Sequence, residues 1–136
     1  MIIPILNEDI REVPASVLAY IGDSVYELHI RLYVASRCHQ KSGAIHRTAI
    51  SYVSASAQAK AARSLIDELS EEEAAVFRRG KNSNPGSVAK NASPSDYKYA
   101  TGLEAVIGYL FLQDSKARLD ELLSRIISVI EASKGE

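Results

Sequence analysis

The chain has 136 residues, 46% of them apolar, enough for one domain with a hydrophobic core and too few to suggest two. A formal net charge of -1 and a pI near 6.3 exclude a globally basic nucleic-acid-binding protein, so any such surface has to be local. The single cysteine, Cys38, excludes an internal disulfide or a cysteine-built zinc site and fits a reducing compartment.

The opening Met1-Ile2-Ile3-Pro4-Ile5-Leu6 lacks a basic leader and meets Asn7, Glu8 and Asp9 at once. No apolar run reaches the roughly 18 residues of a membrane span. A cytoplasmic protein with no membrane partner is expected. Apolar positions recur at three and four almost throughout, and period-two strand patterns bounded by hairpin turns are absent, so the expected fold class is all-α in a single domain, residues 1–136.

Pro14 sits where a first helical turn tolerates proline. The stripe Leu18, Ile21, Val25, Leu28, Leu32 predicts the core face of a helix over 16–35. Asp23 falls on the other side, near Ala19, Tyr26, Glu27, Ile30 and Val34. Because that side is also largely apolar, the helix is expected to be central or shared with a second subunit. A second helix is predicted over about 48–66, its alanines allowing close helix approach. Ser70-Glu71-Glu72-Glu73 reads as a capping box with a solvated acidic start. Residues 80–95, rich in Gly, Asn, Ser and Pro, predict the one long irregular stretch. Ser93-Pro94 then opens a helix carrying Glu104, with Leu103, Val106, Ile107 and Leu110 as its core stripe. A last structural helix aligns Leu119, Leu122, Leu123, Ile126, Ile127 and Ile130.

Asp23 and Glu104 are solitary carboxylates in apolar helical runs, each beside small residues: Ala19 and Gly22 for one, Thr101, Ala105 and Gly108 for the other. An ionised carboxylate taken out of water requires compensation by a cation or by hydrogen bonds. Two such acids on closely packed helices suit a shared Mg2+, which takes one or two carboxylates and completes its shell with water and substrate phosphate. The competing reading is structural, each acid bonding a neighbouring hydroxyl.

Between residues 78 and 91 the chain carries Arg78, Arg79, Lys81 and Lys90 with no acid, interleaved with Asn82 and Asn91. Cations among Asn and Ser suit the phosphates and 2′-hydroxyls of duplex RNA, and an ordinary solvated loop is the alternative. Tyr97 and Tyr99 are candidates for stacking on bases or for packing. His46 and Arg47 open the second predicted helix and add to the cationic surface; the histidines have no metal-ligand spacing.

Ile21-Gly22-Asp23-Ser24-Val25 resembles the signature helix of the ribonuclease III catalytic domain. Leu103-Glu104-Ala105-Val106-Ile107-Gly108-Tyr109-Leu110 resembles its second acidic helix. Tyr20-Ile21-Gly22-Asp23, Val53-Ser54-Ala55 with Gln58, Arg78-Arg79-Gly80-Lys81-Asn82, Lys90-Asn91 and Tyr97-Lys98-Tyr99-Ala100-Thr101 look like the short Mini-ribonuclease III subfamily, which lacks the appended RNA-binding domain. The resemblance covers essentially the whole chain in order. It implies an all-helical, homodimeric, Mg2+-dependent endoribonuclease that cuts double-stranded RNA and matures the ends of bacterial 23S ribosomal RNA precursor, with a ribosomal protein or pre-ribosome as a further partner. It assigns Asp23 and Glu104 as the catalytic and metal-binding acids. Two further acids of full-length ribonuclease III are Ala19 and Thr101 here, which favours one well-defined Mg2+ over a tight two-metal centre. The rival readings are a non-catalytic helical RNA-binding or ribosome-assembly factor, and an all-α nucleotide pyrophosphatase in which Glu27 would pair with Asp23.

Overall fold

The computed structural model describes residues 2–37, 41–83 and 93–134. Among these, all regular structure is helical, in six α-helices: α1 Ala15–Arg37, α2 Ser42–Val53, α3 Ala55–Leu65, α4 Glu71–Lys81, α5 Pro94–Leu112 and α6 Lys116–Lys134. Two short 3-10 turns, Ile10–Glu12 and Ile66–Glu68, complete the element order. The central element is α5. Nine consecutive or near-consecutive residues from Ala100 to Leu110 are buried, round the whole circumference of the helix, and α1, α3, α4 and α6 pack against it. Ser93 caps it by accepting from the Asp96 amide, and Pro94 occupies its first turn, as the sequence predicts. The predicted stripe of α6 is buried in full.

The core face of α1 is not the predicted one. Leu18, Ala19, Gly22, Tyr26, Ile30 and Val34 are buried, whereas Leu28 and Leu32 are 61% and 63% exposed. The i, i+4 row wins because it contains Gly22, where α5 approaches more closely than any side chain permits. Dispersion contacts multiply at such a crossing, so the helix turns its smallest residue inward and leaves two leucines outside. Tyr26 satisfies its hydroxyl by donating to the Tyr52 carbonyl at 2.7 Å, fastening α1 to α2.

The helix predicted over 48–66 is two helices. Ser54 leaves helical geometry at φ -61°, ψ 153°. Its amide closes α2 on the Ile50 carbonyl at 3.0 Å, and its hydroxyl accepts from the Ala57 amide to open α3. Serine competes for backbone partners in this way, which is why it favours boundaries over helix interiors. The irregular stretch predicted from residue 80 begins later: α4 runs to Lys81 and Asn82 caps it. The part of the stretch over residues 84–92, which carries Lys90 and Asn91, lies outside the described residues, as do Cys38 and His39.

The capping box at Ser70 forms with both of its reciprocal bonds, Glu73 N to Ser70 Oγ at 3.1 Å and Ser70 N to Glu73 Oε1 at 3.0 Å. Glu73 is not part of a solvated start, however; it is 5% exposed and takes two hydrogen bonds of 2.8 Å from Arg118 of α6. That guanidinium holds the Glu73 carboxyl below its ordinary range. Glu73→Ala therefore leaves Arg118 without its main partner and removes half of the cap. The expected loss is near the lower end of the about 3–5 kcal/mol for breaking a buried pair, because Arg118 keeps Glu121 and the Glu68 carbonyl. The melting temperature should fall by about 10 °C. A lowered folded-state pKa gives stability above the ordinary carboxyl value of 4.5 that is lost as pH falls further. Thermal melts from pH 7 to 3 should accordingly converge for wild type and variant at the acid end.

Candidate active site

Two helices meet here with their backbones in contact. A Cβ placed on Gly22 would lie 1.8 Å from the Glu104 carbonyl oxygen and 2.8 Å from the Gly108 amide nitrogen, and one on Gly108 would lie 2.0 Å from the Leu18 carbonyl oxygen. Only hydrogen fits at either position. A second glycine pair packs α4 on α5: a Cβ on Gly80 would meet the Ala105 Cβ at 2.6 Å, and one on Gly102 the Phe77 ring at 2.8 Å. These two crossings hold the middle of α5 between α1 and α4. Asp23, one residue after Gly22, is thereby brought beside Glu104.

The electrostatics record that proximity. Glu104 is half-buried, and its carboxyl is pushed up to about 9, first by loss of water around it, then by the charge of Asp23 and a hydrogen-bonding interaction with that neighbour. The Gln58 amide acts in the other direction. Two carboxyls in one partly dry site do not both ionise readily unless positive charge arrives. Asp23 is exposed, which leaves the pair reachable from solvent.

The positions that depart from the four-acid pattern supply no further carboxylate. Ala19 is buried within the core. The Thr101 hydroxyl donates to the Tyr97 carbonyl at 2.9 Å, one turn back along its own helix. Among the described residues no group of three or more His, Cys, Asp or Glu side chains converges, as a pyrophosphatase reading requires, and Glu27 is engaged by Arg31 at 2.7 Å. Gln58 is the residue to which sequence reasoning gave no role. Its signal was available: it lies three, four and seven residues before Ala61, Ala62 and Leu65, on the apolar face of α3, and it is 3% exposed.

Arg78, Arg79 and Lys81 lie on the last turn of α4, where cations also suit the helix dipole, with Asn82 just beyond. Arg78, Arg79 and Asn82 are exposed and Lys81 is half-buried, its ammonium 4.8 Å from the centre of the Tyr99 ring. Arg63 sits over the same ring at 4.5 Å while pairing with Asp96 at 2.8 Å. Tyr99 also packs edge-on against Phe77, with ring centres 5.8 Å apart, so it is a packing residue. His46 and Arg47 are exposed within α2, which packs chiefly on α1 and α3. The cationic candidates therefore fall on two separate helices.

Comparison with known proteins agrees with this geometry along the chain. Residues 16–115 match the Ribonuclease III domain family, a span that includes both glycine crossings and both acids. The chain is 43% identical over 131 residues to the Mini-ribonuclease 3 of Clostridium tetani, covering 93% of this chain and 85% of that protein. It is 40% identical over 124 residues to the Mini-ribonuclease 3 of Enterococcus faecalis, covering 90% and 94%. A crystal structure of a Fusobacterium nucleatum protein superposes with a TM-score of 0.82 at 29% identity, over 90% of this chain and 99% of that one. With the family's domain matched across most of its length and its relatives spanning nearly all of it, the chain belongs to the ribonuclease III family and is similar throughout to the Mini-ribonucleases 3.

Proposed function

We propose that this ribonuclease III-type endoribonuclease cleaves double-stranded RNA with Mg2+ held by Asp23 and Glu104, that it acts as a homodimer, and that its substrate is the end region of the 23S ribosomal RNA precursor in the cytoplasm. The observation that carries the reading is the Asp23–Glu104 pair at the Gly22–Gly108 crossing in a chain of this family. The donor set fits the cation. Two carboxylates are a sufficient protein contribution for Mg2+, which keeps much of its water, and a neighbouring pair that resists double ionisation is neutralised by a divalent charge. When bound, the ion supplies a water of lowered pKa and charge stabilisation for the leaving oxygen of a phosphodiester. The chain's residues hold the acids at a fixed separation, keep Glu104 half out of water and leave Asp23 open to the substrate. Incubation of a long RNA duplex with Mg2+ or with EDTA tests the reading: cleavage in the first and none in the second is expected, and intact RNA in both would refute it.

What supports a grip on RNA is the end of α4. Replacing Arg78, Arg79 and Lys81 by Gln should weaken duplex binding and flatten its salt dependence. Each lost phosphate contact is worth roughly 0.9 or less of log-log slope. Because Lys81 is already engaged on Tyr99, the expected change is roughly two units rather than three contacts' worth. Filter binding at several salt concentrations checks this, and an unaltered slope would remove the α4 end from the interface.

What supports a dimer is the apolar surface that one chain leaves uncovered: Val17, Tyr20, Leu28 and Leu32 on α1, and Ile2, Ile3, Ile5 and Leu6 ahead of it. Exposed large apolar side chains in this number suit an association face. Light scattering at micromolar concentration should give twice the chain mass of 14.8 kDa, and Leu28→Glu with Leu32→Glu should return it to the single-chain value.

A further inference from the structure

Three helices converge on the ring of Tyr99. Arg63 of α3 lies 4.5 Å from the ring centre while donating to Asp96 Oδ1 at 2.8 Å and to Ser95 Oγ at 2.9 Å, so one guanidinium holds both the ring and the first turn of α5. Lys81, the last residue of α4, brings its ammonium to 4.8 Å from the same ring centre. Phe77, one turn earlier in α4, meets the ring edge-on. Two cations on one ring repel each other, and Asp96 is the one carboxylate paired with either of them among the described residues. Stability alone gives little reason to fold the Lys81 ammonium back here, when Arg78 and Arg79 beside it stand open to solvent. The contact does tie down a helix end. α4 has only 11 residues, and the last turn of a helix, whose carbonyls lack partners within it, is where helices fray. Asn82 and Ser83 close its backbone on Arg78 and Gly80, and the Tyr99 ring fastens its side to α5. Arg78 and Arg79 belong to that turn.

We propose that Arg63, Tyr99 and Lys81 form a clamp that positions the cationic end of α4 for duplex RNA: Lys81 is an anchor rather than a phosphate contact, Arg63 fixes the ring on which it rests, and Arg78 and Arg79 are thereby held ready for the RNA backbone. The proposal rests on the reading of the α4 end as the RNA-binding surface and is independent of the metal site. An anchor and a phosphate contact leave different signatures. Losing a phosphate contact lowers both affinity and salt slope, because fewer counterions are released. Losing an anchor lowers affinity and leaves the slope, because Arg78 and Arg79 still reach their phosphates once binding has ordered the turn. A cation–π contact corresponds to about two- to tenfold in an equilibrium constant.

Duplex RNA binding in EDTA at several salt concentrations decides it, with Arg78→Gln as the reference for a phosphate contact. Lys81→Met and Arg63→Met should each weaken binding about three- to tenfold with the salt slope of wild type, whereas Arg78→Gln should lower the slope by roughly 0.9 or less. The double variant Arg63→Met with Lys81→Met should bind no more weakly than the weaker single variant, because both act through one ring. Tyr99→Leu should weaken binding in the same way, and Tyr99→Phe, which keeps the ring, should restore it. In cleavage the loss should fall on KM rather than on the single-turnover rate at saturating RNA. A slope reduced as much in Lys81→Met as in Arg78→Gln would make Lys81 a phosphate contact and overturn the proposal. Wild-type affinity in Lys81→Met or Arg63→Met, or additive losses in the double variant, would overturn it as well. If Tyr99→Leu does not fold, the Lys81 and Arg63 variants decide the outcome with Tyr99→Phe. Wild-type affinity and slope in Arg78→Gln and Arg79→Gln would instead refute the reading of the α4 end as the RNA surface, on which the clamp stands.

Discussion

Asp23→Asn and Glu104→Gln are each expected to lower Mg2+-dependent cleavage of duplex RNA by about a thousandfold or more while the protein stays folded and binds RNA. Each acid is one of two available to a cation, and losing about 4 kcal/mol of transition-state stabilisation corresponds to that factor. The two variants differ in a way that random damage does not reproduce. In the metal-free protein the Glu104 carboxyl keeps its proton to about pH 9, against an ordinary value of 4.5. An acid whose folded-state pKa is raised costs stability as pH climbs from about 4.5 toward 9, because the unfolded chain ionises first. Glu104→Gln should therefore melt higher than wild type at pH 8 without metal, and at nearly the same temperature at pH 4. The same proton has to leave when Mg2+ binds. Apparent Mg2+ affinity of wild type should rise by up to about tenfold per pH unit between 6 and 9, and that slope should vanish in Glu104→Gln. Calorimetry across pH reads the slope directly, and an equal slope in both proteins would show that Glu104 does not exchange its proton for the metal.

Much of this site is visible in the chain before any coordinates. Asp23 and Glu104 are conspicuous because each is a charge inside an apolar helix, and the glycines beside them imply the close crossing that the structure displays. The cap at Ser70 and the stripe of α6 are legible for the same reason: each depends on residues a few positions apart on one helix. What periodicity conceals depends on other helices. It ranks Leu28 and Leu32 as core because leucine is apolar, yet the face of α1 is chosen by Gly22, whose contribution is the absence of a side chain. The acids at the start of α4 look alike, and only the approach of Arg118 from α6 makes Glu73 a buried ion-pair partner while Glu71 and Glu72 stay exposed. Gln58 shows the same limit. Its place on the Ala61, Ala62 and Leu65 face of α3 is readable, but its acceptor, the Val53 carbonyl, is presented to it only through the break at Ser54.

Gly22→Ala and Gly108→Ala should disable the enzyme without touching an ionisable group. The added carbon on Gly22 would stand 1.8 Å from the Glu104 carbonyl oxygen and that on Gly108 2.0 Å from the Leu18 carbonyl oxygen. Both obstacles are helix backbone, so no side chain can swing aside and the two helices must separate. Overpacking in a core typically costs about 1–3 kcal/mol. These contacts belong at or above the upper end, which predicts a fall in melting temperature of about 10 °C. Alanine's better helix propensity, worth about 1 kcal/mol over glycine, offsets only part of this. The catalytic consequence is larger than the structural one. Displacing reacting groups by about 1 Å costs on the order of a hundredfold in rate, and parting α1 from α5 moves Asp23 from Glu104 directly. At a temperature where each variant is folded, single-turnover cleavage should fall by about a hundredfold or more, with Mg2+ affinity reduced. Gly43→Ala is the internal control: its new carbon would meet nothing nearer than the Arg47 side chain at 3.6 Å, an ordinary contact, so it should melt at or slightly above wild type and cleave normally. If Gly22→Ala behaved like Gly43→Ala, the backbone contact between α1 and α5 would not be what sets the distance between the two acids.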